Sequence, residues 1–175
     1  MAMRILITGG DHTGKDSLAR ALLAGNPELV YTGASSRQIA DLIEEWRDGR
    51  DMEEWWRRRR DHREEWITAF DGLRKTRRPG IFATHLYEQG ESIVTGLRFT
   101  SELIDLLNSS VFPHIILWCR YANRHQTGPD ALTLDLTAQL AALHSIPVVV
   151  VWSEIRITHI LNLISHLGDP HADSE

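Results

Sequence analysis

The chain reads Gly9-Gly10-Asp11-His12-Thr13-Gly14-Lys15-Asp16-Ser17 at the point that decides its fold. This stretch matches the pattern G-x-x-x-x-G-K. It follows a short apolar run at residues 4–8 and precedes apolar residues at helical spacing in residues 16–24. A strand, a glycine-rich loop and a helix in this order form the context in which such a loop binds phosphate. We therefore predict a phosphate-binding loop here; the alternative is a glycine turn with a chance lysine.

Each residue type in this loop has a chemical reason to be there. Glycines leave no Cβ in the way, so several backbone N–H groups can face one anion. The helix that follows directs its positive end at the same anion, and the lysine adds a cation for the β- and γ-phosphates. The predicted nucleotide-binding residues are Gly9, Gly10, His12, Thr13, Gly14, Lys15, Asp16 and Ser17.

The residue after the loop lysine departs from the usual pattern. A Ser or Thr hydroxyl usually holds Mg²⁺ at this position, but the chain has Asp16 there and places its hydroxyl one residue later, at Ser17. Both residues are predicted metal ligands, Asp16 directly or through water and Ser17 through its hydroxyl. The alternative for Asp16 is a first-turn acid that favours the helix dipole.

The remainder of the chain alternates apolar runs with helical patterns. Besides the run before the loop, strands are predicted at residues 28–32, 91–97, 114–119 and 146–152. Helices are predicted at residues 16–24, 36–46, 51–73, 79–87, 101–107, 133–144 and 155–167. We predict an α/β fold of the three-layer P-loop kinase type with a five-stranded parallel sheet, in one domain over residues 1–168. Residues 169–175 are predicted to form a flexible tail.

The long stretch of residues 34–90 contains no predicted strand. We predict that it forms a helical insertion between the second and third strands. It would cover the active face on the acceptor side, where a molecule that receives a phosphoryl group would bind. Eleven of the nineteen basic residues lie in residues 47–78, interleaved with tryptophans. This pattern is typical of a solvated helix with i,i+4 ion pairs, while acceptor binding and a polynucleotide surface are alternatives. Arg37, at the start of the stretch, is a candidate ligand of the acceptor phosphate.

A second motif follows the third predicted strand and reads Gly96-Leu97-Arg98-Phe99-Thr100-Ser101-Glu102. Together with Lys15-Asp16-Ser17, it gives the chain a resemblance to the phage-type deoxynucleoside monophosphate kinases. In that family a lysine–aspartate–hydroxyl run closes the phosphate loop, and the third strand ends in D-x-R with Glu four residues later. Arg98 and Glu102 keep this spacing, whereas Gly96 stands where the family has its acid. The resemblance covers residues 3–33 and 90–165.

The resemblance implies transfer of a phosphoryl group from ATP to a nucleoside monophosphate, with Mg²⁺. It implies that Arg98 lies between the donor and acceptor phosphates, where a guanidinium offers a permanent charge and a fork of donors. Glu102 is predicted on the same substrate side, where it caps or orients Arg98. Because Gly96 carries no acid, we expect Asp11 to meet the acceptor in its place. The alternative is that Asp11 hydrogen-bonds its own loop.

Residues 120–132 follow the fourth strand and are predicted to form a lid. In nucleotide kinases, arginines of the lid neutralise charge that develops on the transferred group. Arg120 and Arg124 are four residues apart, so a helical turn would place both on one side. We predict a catalytic role for both arginines, beside Lys15, Asp11 and Arg98; the alternative is an ordinary surface loop.

Composition restricts the classes of partner. A formal net charge of −5 gives no general attraction to nucleic acid or to an anionic membrane. The single cysteine, Cys119, fits a reducing compartment. No apolar run approaches the roughly 20 residues that a membrane span needs. We expect a cytoplasmic protein without a membrane partner, and a homodimer remains an open alternative.

Three functions are compatible with these motifs. The first is ATP- and Mg²⁺-dependent phosphorylation of a free nucleotide, with a deoxynucleoside monophosphate as the expected acceptor. The second is a phage-type DNA-modifying kinase that phosphorylates a hydroxymethylated pyrimidine base in DNA, which would have to be flipped or single-stranded. The third is a nucleotide-binding module without transfer activity, which the missing acid at Gly96 favours.

Overall fold

The computed structural model describes residues 3–10, 13–33, 54, 57–58, 60–120, 129–152 and 157–168. The strands of the described part are β1 (Ile5–Gly9), β2 (Ile93–Thr95), β3 (Ile115–Cys119) and β4 (Val148–Val151). Its helices are α1 (Lys15–Gly25), α2 (Arg63–Thr76), α3 (Ile81–Glu88), α4 (Thr100–Leu107), α5 (Leu134–Leu143) and α6 (Ile157–Gly168). Within this part, no helix has the length and apolar character that crossing a membrane requires.

The four strands form one parallel sheet in the order β2-β1-β3-β4. Strand β1 lies in the interior, with Ile5 opposite Ile93 of β2 and Ile115 of β3. The prediction of an α/β fold with a parallel sheet is confirmed. Since parallel strands end at the same edge, the loops after β1, β2 and β3 meet there.

The alternation of side chains along β1 divides the core into two halves. Ile5 and Ile7 pack on one face of the sheet with buried residues of α1 and α6. Leu6 points to the other face, where α3, α4 and α5 contribute the buried residues. Helices therefore cover both faces of the sheet, which explains why its strands read as continuous apolar runs.

The prediction of a fifth strand at residues 28–32 is wrong. This segment lies beside the start of β2, and the Val30 carbonyl accepts hydrogen bonds from the backbone of Ser92 and Ile93. Two of its backbone donors, however, go to side chains. Val30 N donates to Ser92 Oγ at 3.0 Å, and Thr32 N donates to the Glu91 carboxylate at 3.1 Å. Because these side chains take the N–H groups that a parallel ladder needs, no ladder forms.

The predicted helix at residues 51–73 is also wrong in part. Residues 60–62 form a turn, α2 begins at Arg63, and it continues to Thr76. The described part of the predicted insertion thus includes the helices α2 and α3, and α3 lies on the sheet against β2. The other predicted helices that can be compared begin and end within two residues of those observed. The predicted helix at residues 36–46 and the tail at residues 169–175 lie outside the described residues.

Candidate functional site

The loop after β1 has a backbone that glycine makes possible. Gly9 has a φ of 132°, and a Cβ at this position would overlap the Cys119 carbonyl oxygen of the neighbouring strand β3. Gly14 has a φ of 78° and stands immediately before the first residue of α1. Between them, the buried Thr13 donates from its hydroxyl to the Gly10 carbonyl at 2.9 Å. The chain therefore turns sharply from the end of β1 into the amino end of α1.

Lys15 is folded back over this loop. Its Nζ donates to the Gly10 carbonyl at 2.6 Å and to the Gly9 carbonyl at 3.3 Å, with the Thr13 hydroxyl at 3.4 Å. Its charge also reaches the end of β3, where burial raises the pKa of the Cys119 thiol to about 11 and Lys15 partly offsets this rise. The ammonium group thus lies inside the curve of the loop, next to the amino end of α1.

Asp16 and Ser17, the predicted metal ligands, both lie in the exposed first turn of α1. The Asp16 carboxylate accepts two hydrogen bonds through Oδ1, from the Tyr31 hydroxyl at 2.8 Å and from the Thr95 hydroxyl at 3.2 Å. In the described part of the chain, no group of three or more His, Cys, Asp or Glu side chains could hold a metal ion. Mg²⁺ usually binds through one or two carboxylates together with substrate phosphates, and one exposed carboxylate beside the loop fits that manner of binding.

The segment that carries Arg98 is fastened to the end of β1. The buried Thr8 hydroxyl donates to the Leu97 carbonyl at 2.9 Å, and Gly96 N donates to the Ile7 carbonyl at 3.2 Å. On the other side, Leu132 N donates to the Arg98 carbonyl at 2.9 Å. The Arg98 side chain is exposed at this edge of the sheet. Arg98 and the Lys15 loop are therefore held at the carboxyl ends of two adjacent strands.

Glu102 anchors this segment from within the protein. It is 2% exposed, and its Oε2 accepts from the backbone N–H groups of Arg98 at 2.8 Å and Phe99 at 3.0 Å. Its Oε1 accepts from Arg74 Nε of α2 at 2.7 Å. Both carboxylate oxygens are thus engaged by the protein itself. Glu102 therefore contacts the backbone N–H of Arg98, and both its orienting role and its binding of substrate stay predictions.

Arg74 is a part of the site that sequence reasoning missed. Its guanidinium lies 4.8 Å from the centre of the Phe82 ring and 5.2 Å from that of Phe99, and it also binds Asp71 at 2.9 Å. Twenty-eight residues separate Arg74 from Glu102. Local spacing therefore held no signal for this pair, and Arg74 looked like one arginine among many.

Of the other predicted site residues, one is described by the structure and the rest lie outside the described residues. Arg120 follows β3 and stacks its guanidinium 4.6 Å from the centre of the exposed Trp152 ring, which follows β4. Asp11, His12, Arg37 and Arg124 lie outside the described residues, as do residues 121–128 of the predicted lid. Their roles stay predictions.

Comparisons with known proteins add a likeness of fold. No protein-family model matches the chain, and no curated protein matches it. Among solved structures, the chain is similar to a provisionally assigned kinase from Chloroflexus aurantiacus J-10-fl. The sequence identity is 19%, the alignment covers 95% of this chain and 97% of that chain, and the TM-score is 0.49. A likeness at this level does not indicate which residues do chemistry.

Proposed function

We propose that the protein is a P-loop phosphotransferase that binds ATP with Mg²⁺ and transfers the terminal phosphoryl group to a nucleotide, a deoxynucleoside monophosphate being the expected acceptor. The observation that carries the proposal is the loop between β1 and α1. There the Lys15 ammonium binds the Gly9 and Gly10 carbonyls immediately in front of the amino end of a helix.

This arrangement suits a bound polyphosphate for electrostatic reasons. The first N–H groups of a helix have no partner within the helix, and they carry the positive end of its dipole. Gly14 is exposed, and no atom of the described residues lies within 4 Å of the position that its Cβ would occupy. Phosphate oxygens can therefore approach the backbone of the loop, while Lys15 supplies a full positive charge beside them.

The proposed chemistry requires the chain to position the phosphates and to neutralise their charge, and it requires no covalent bond to the protein. Lys15 would bind the β- and γ-phosphates. Arg98, in the loop after the adjacent strand β2, would meet the transferred group from the acceptor side with its fork of donors. Mg²⁺, when bound, supplies further positive charge to the phosphate oxygens. Asp16 and Ser17 are the residues that would hold it, and Glu102 would keep the Arg98 backbone in place.

Ion pairing in the basic stretch supports a small acceptor rather than DNA. Three of its described arginines bind carboxylates of the chain itself: Arg58 with Glu54 and Asp61, Arg74 with Glu102, and Arg78 with Asp105. A surface built for a polynucleotide presents arginines to successive phosphates. Arginines that are already paired with acids add little to such a surface.

The test is an acceptor screen with γ-labelled ATP and Mg²⁺. It should include the deoxynucleoside monophosphates, unmodified DNA and DNA that contains hydroxymethylated pyrimidines. We expect label on a deoxynucleoside monophosphate and none on DNA. Label on hydroxymethylated DNA alone would favour the second function, and ATP binding without transfer to any acceptor would favour the nucleotide-binding module.

The two lysines of the chain provide a matched pair of variants for this screen. Lys15→Ala should reduce turnover by about 100-fold or more, because it removes a charge that acts on the transferred group. Lys75→Ala removes an exposed lysine from the last turn of α2 and should leave turnover unchanged. Equal turnover by the two variants would exclude Lys15 from the chemistry.

A further inference from the structure

The contacts of Asp16 join three separate pieces of the chain. Asp16 follows Lys15 in the first turn of α1, Tyr31 lies in the segment after α1, and Thr95 is the last residue of β2. Both hydroxyls donate to the same oxygen, Oδ1, at 2.8 Å from Tyr31 and 3.2 Å from Thr95. Two donors to one oxygen restrict the rotation of a carboxylate that would otherwise turn freely in solvent.

The donors are buried, whereas the carboxylate is exposed. Tyr31 is 8% and Thr95 is 4% exposed, while Asp16 belongs to the exposed residues of α1. An acid that served only the helix dipole would need neither partner. In this protein, two buried hydroxyls instead bind the carboxylate, and Asp16 remains exposed to solvent.

The position of the carboxylate relates the two loops of the site. Asp16 is the neighbour of Lys15 in sequence, and its Oδ1 lies within hydrogen-bonding distance of Thr95. Thr95 directly precedes Gly96, the position that carries no acid, and Arg98 follows two residues later. The carboxylate that follows Lys15 in sequence thus lies at the end of β2, next to the segment that carries Arg98.

We propose that Tyr31 is a positioning residue: together with Thr95 it holds Asp16 where the carboxylate receives the Mg²⁺ of bound ATP. The inference rests on the proposed function. Oxygen ligands suit Mg²⁺, which combines one or two carboxylates with substrate phosphates. Residues that orient a ligating carboxylate affect metal affinity without touching the metal.

The test uses Tyr31→Phe with Tyr87→Phe as its matched control. Both changes remove one phenolic hydroxyl from a buried ring, but the Tyr87 hydroxyl has no hydrogen-bond partner in the described part of the chain. Binding of a fluorescent ATP analogue is measured in EDTA and at increasing Mg²⁺ concentrations. Thermal unfolding of each variant is recorded alongside.

For Tyr31→Phe we expect the Mg²⁺ concentration that gives half-maximal enhancement of binding to rise about tenfold or more. Affinity for the analogue in EDTA should equal that of the parent protein, because the Tyr31 hydroxyl does not contact phosphate. Thr95→Val, which removes the longer hydrogen bond, should show a smaller shift in the same direction. Tyr87→Phe should match the parent protein both in its affinity for the analogue in EDTA and in its Mg²⁺ dependence.

Two results would overturn the inference while leaving the proposed function intact. One is an unchanged Mg²⁺ dependence in Tyr31→Phe. The other is an equal loss of affinity with and without Mg²⁺, accompanied by a lower melting temperature, which would make Tyr31 a structural residue only. Failure of the parent protein to bind the analogue at all would instead refute the proposed function, and this inference with it.

Discussion

Replacing Glu102 with alanine should destabilise the protein much more than replacing Asp105 with alanine. Both acids lie on α4, and each binds an arginine Nε at 2.7 Å, Arg74 for Glu102 and Arg78 for Asp105. The pairs differ in burial. The side chains of Arg74 and Glu102 are 19% and 3% exposed, whereas those of Arg78 and Asp105 are 37% and 26% exposed. The comparison therefore sets a buried ion pair against a partly exposed pair with the same distance between Nε and the carboxylate oxygen.

The expected magnitudes follow from what each deletion leaves behind. Glu102→Ala leaves the Arg74 charge without its buried partner and two backbone N–H groups without an acceptor, and such a loss costs about 3–5 kcal/mol. Asp105→Ala removes a half-exposed pair and one bond from Gly80 N, together about 1–2 kcal/mol. In a chain of this size, the melting temperature should fall by about 10 °C in the first variant and by about 4 °C in the second.

Urea unfolding followed by tryptophan fluorescence would give the two free energies of unfolding. Glu102→Gln, which keeps an oxygen for the two N–H groups but loses the charge, should fall between the parent and Glu102→Ala. The double variant Arg74→Met with Glu102→Ala should lose less stability than the sum of the losses in the two single variants. Each single variant keeps one charge that has lost its partner in this pair, whereas the double variant keeps neither charge. Equal losses for Glu102→Ala and Asp105→Ala would refute the argument from burial.

Three further changes test other parts of the fold and site. Arg98→Lys keeps the charge but loses the planar fork, so steady-state kinetics should show kcat reduced by about 100-fold with the fold intact. Gly9→Ala should destabilise by about 3 kcal/mol more than Gly33→Ala in urea unfolding, since both have similar positive φ but only Gly9 faces a backbone carbonyl within contact distance. Burial and then the charge of Arg4 lower the pKa of His114, so its unfolded form binds more protons. Stability should therefore fall as the pH drops below about 6.5, and the fall should be shallower in His114→Gln.

The sequence predicted the order of the strands, the loop and the helices, because this order depends on local periodicity. Continuous apolar runs predicted the four observed strands, and the glycine-lysine pattern placed a tight loop between β1 and α1. The wrong prediction of a strand at residues 28–32 has a cause that an apolar pattern does not contain. The side chains of Glu91 and Ser92 compete for the backbone donors of this segment, and they come from about sixty residues further along the chain.

Only some residues of the candidate site could be predicted from the sequence. Lys15 and Arg98 could be chosen because each stands in a motif of fixed spacing, and Glu102 because it follows Arg98 by four residues. Tyr31, Thr95 and Arg74 carry no such signal, since their partners in the site lie between 15 and 79 residues away in sequence.

What the sequence determined by itself was thus the repeating element pattern and the position of the glycine loop between β1 and α1, both of which arise from interactions between near neighbours. Only the tertiary structure decided the strand order β2-β1-β3-β4, which brings the ends of β1 and β2 side by side. It also decided that Asp16 meets Thr95 and that Arg74 neutralises the buried Glu102. These contacts depend on how the helices pack on the sheet, and packing satisfies buried polar groups with whichever partners the folded chain brings within reach.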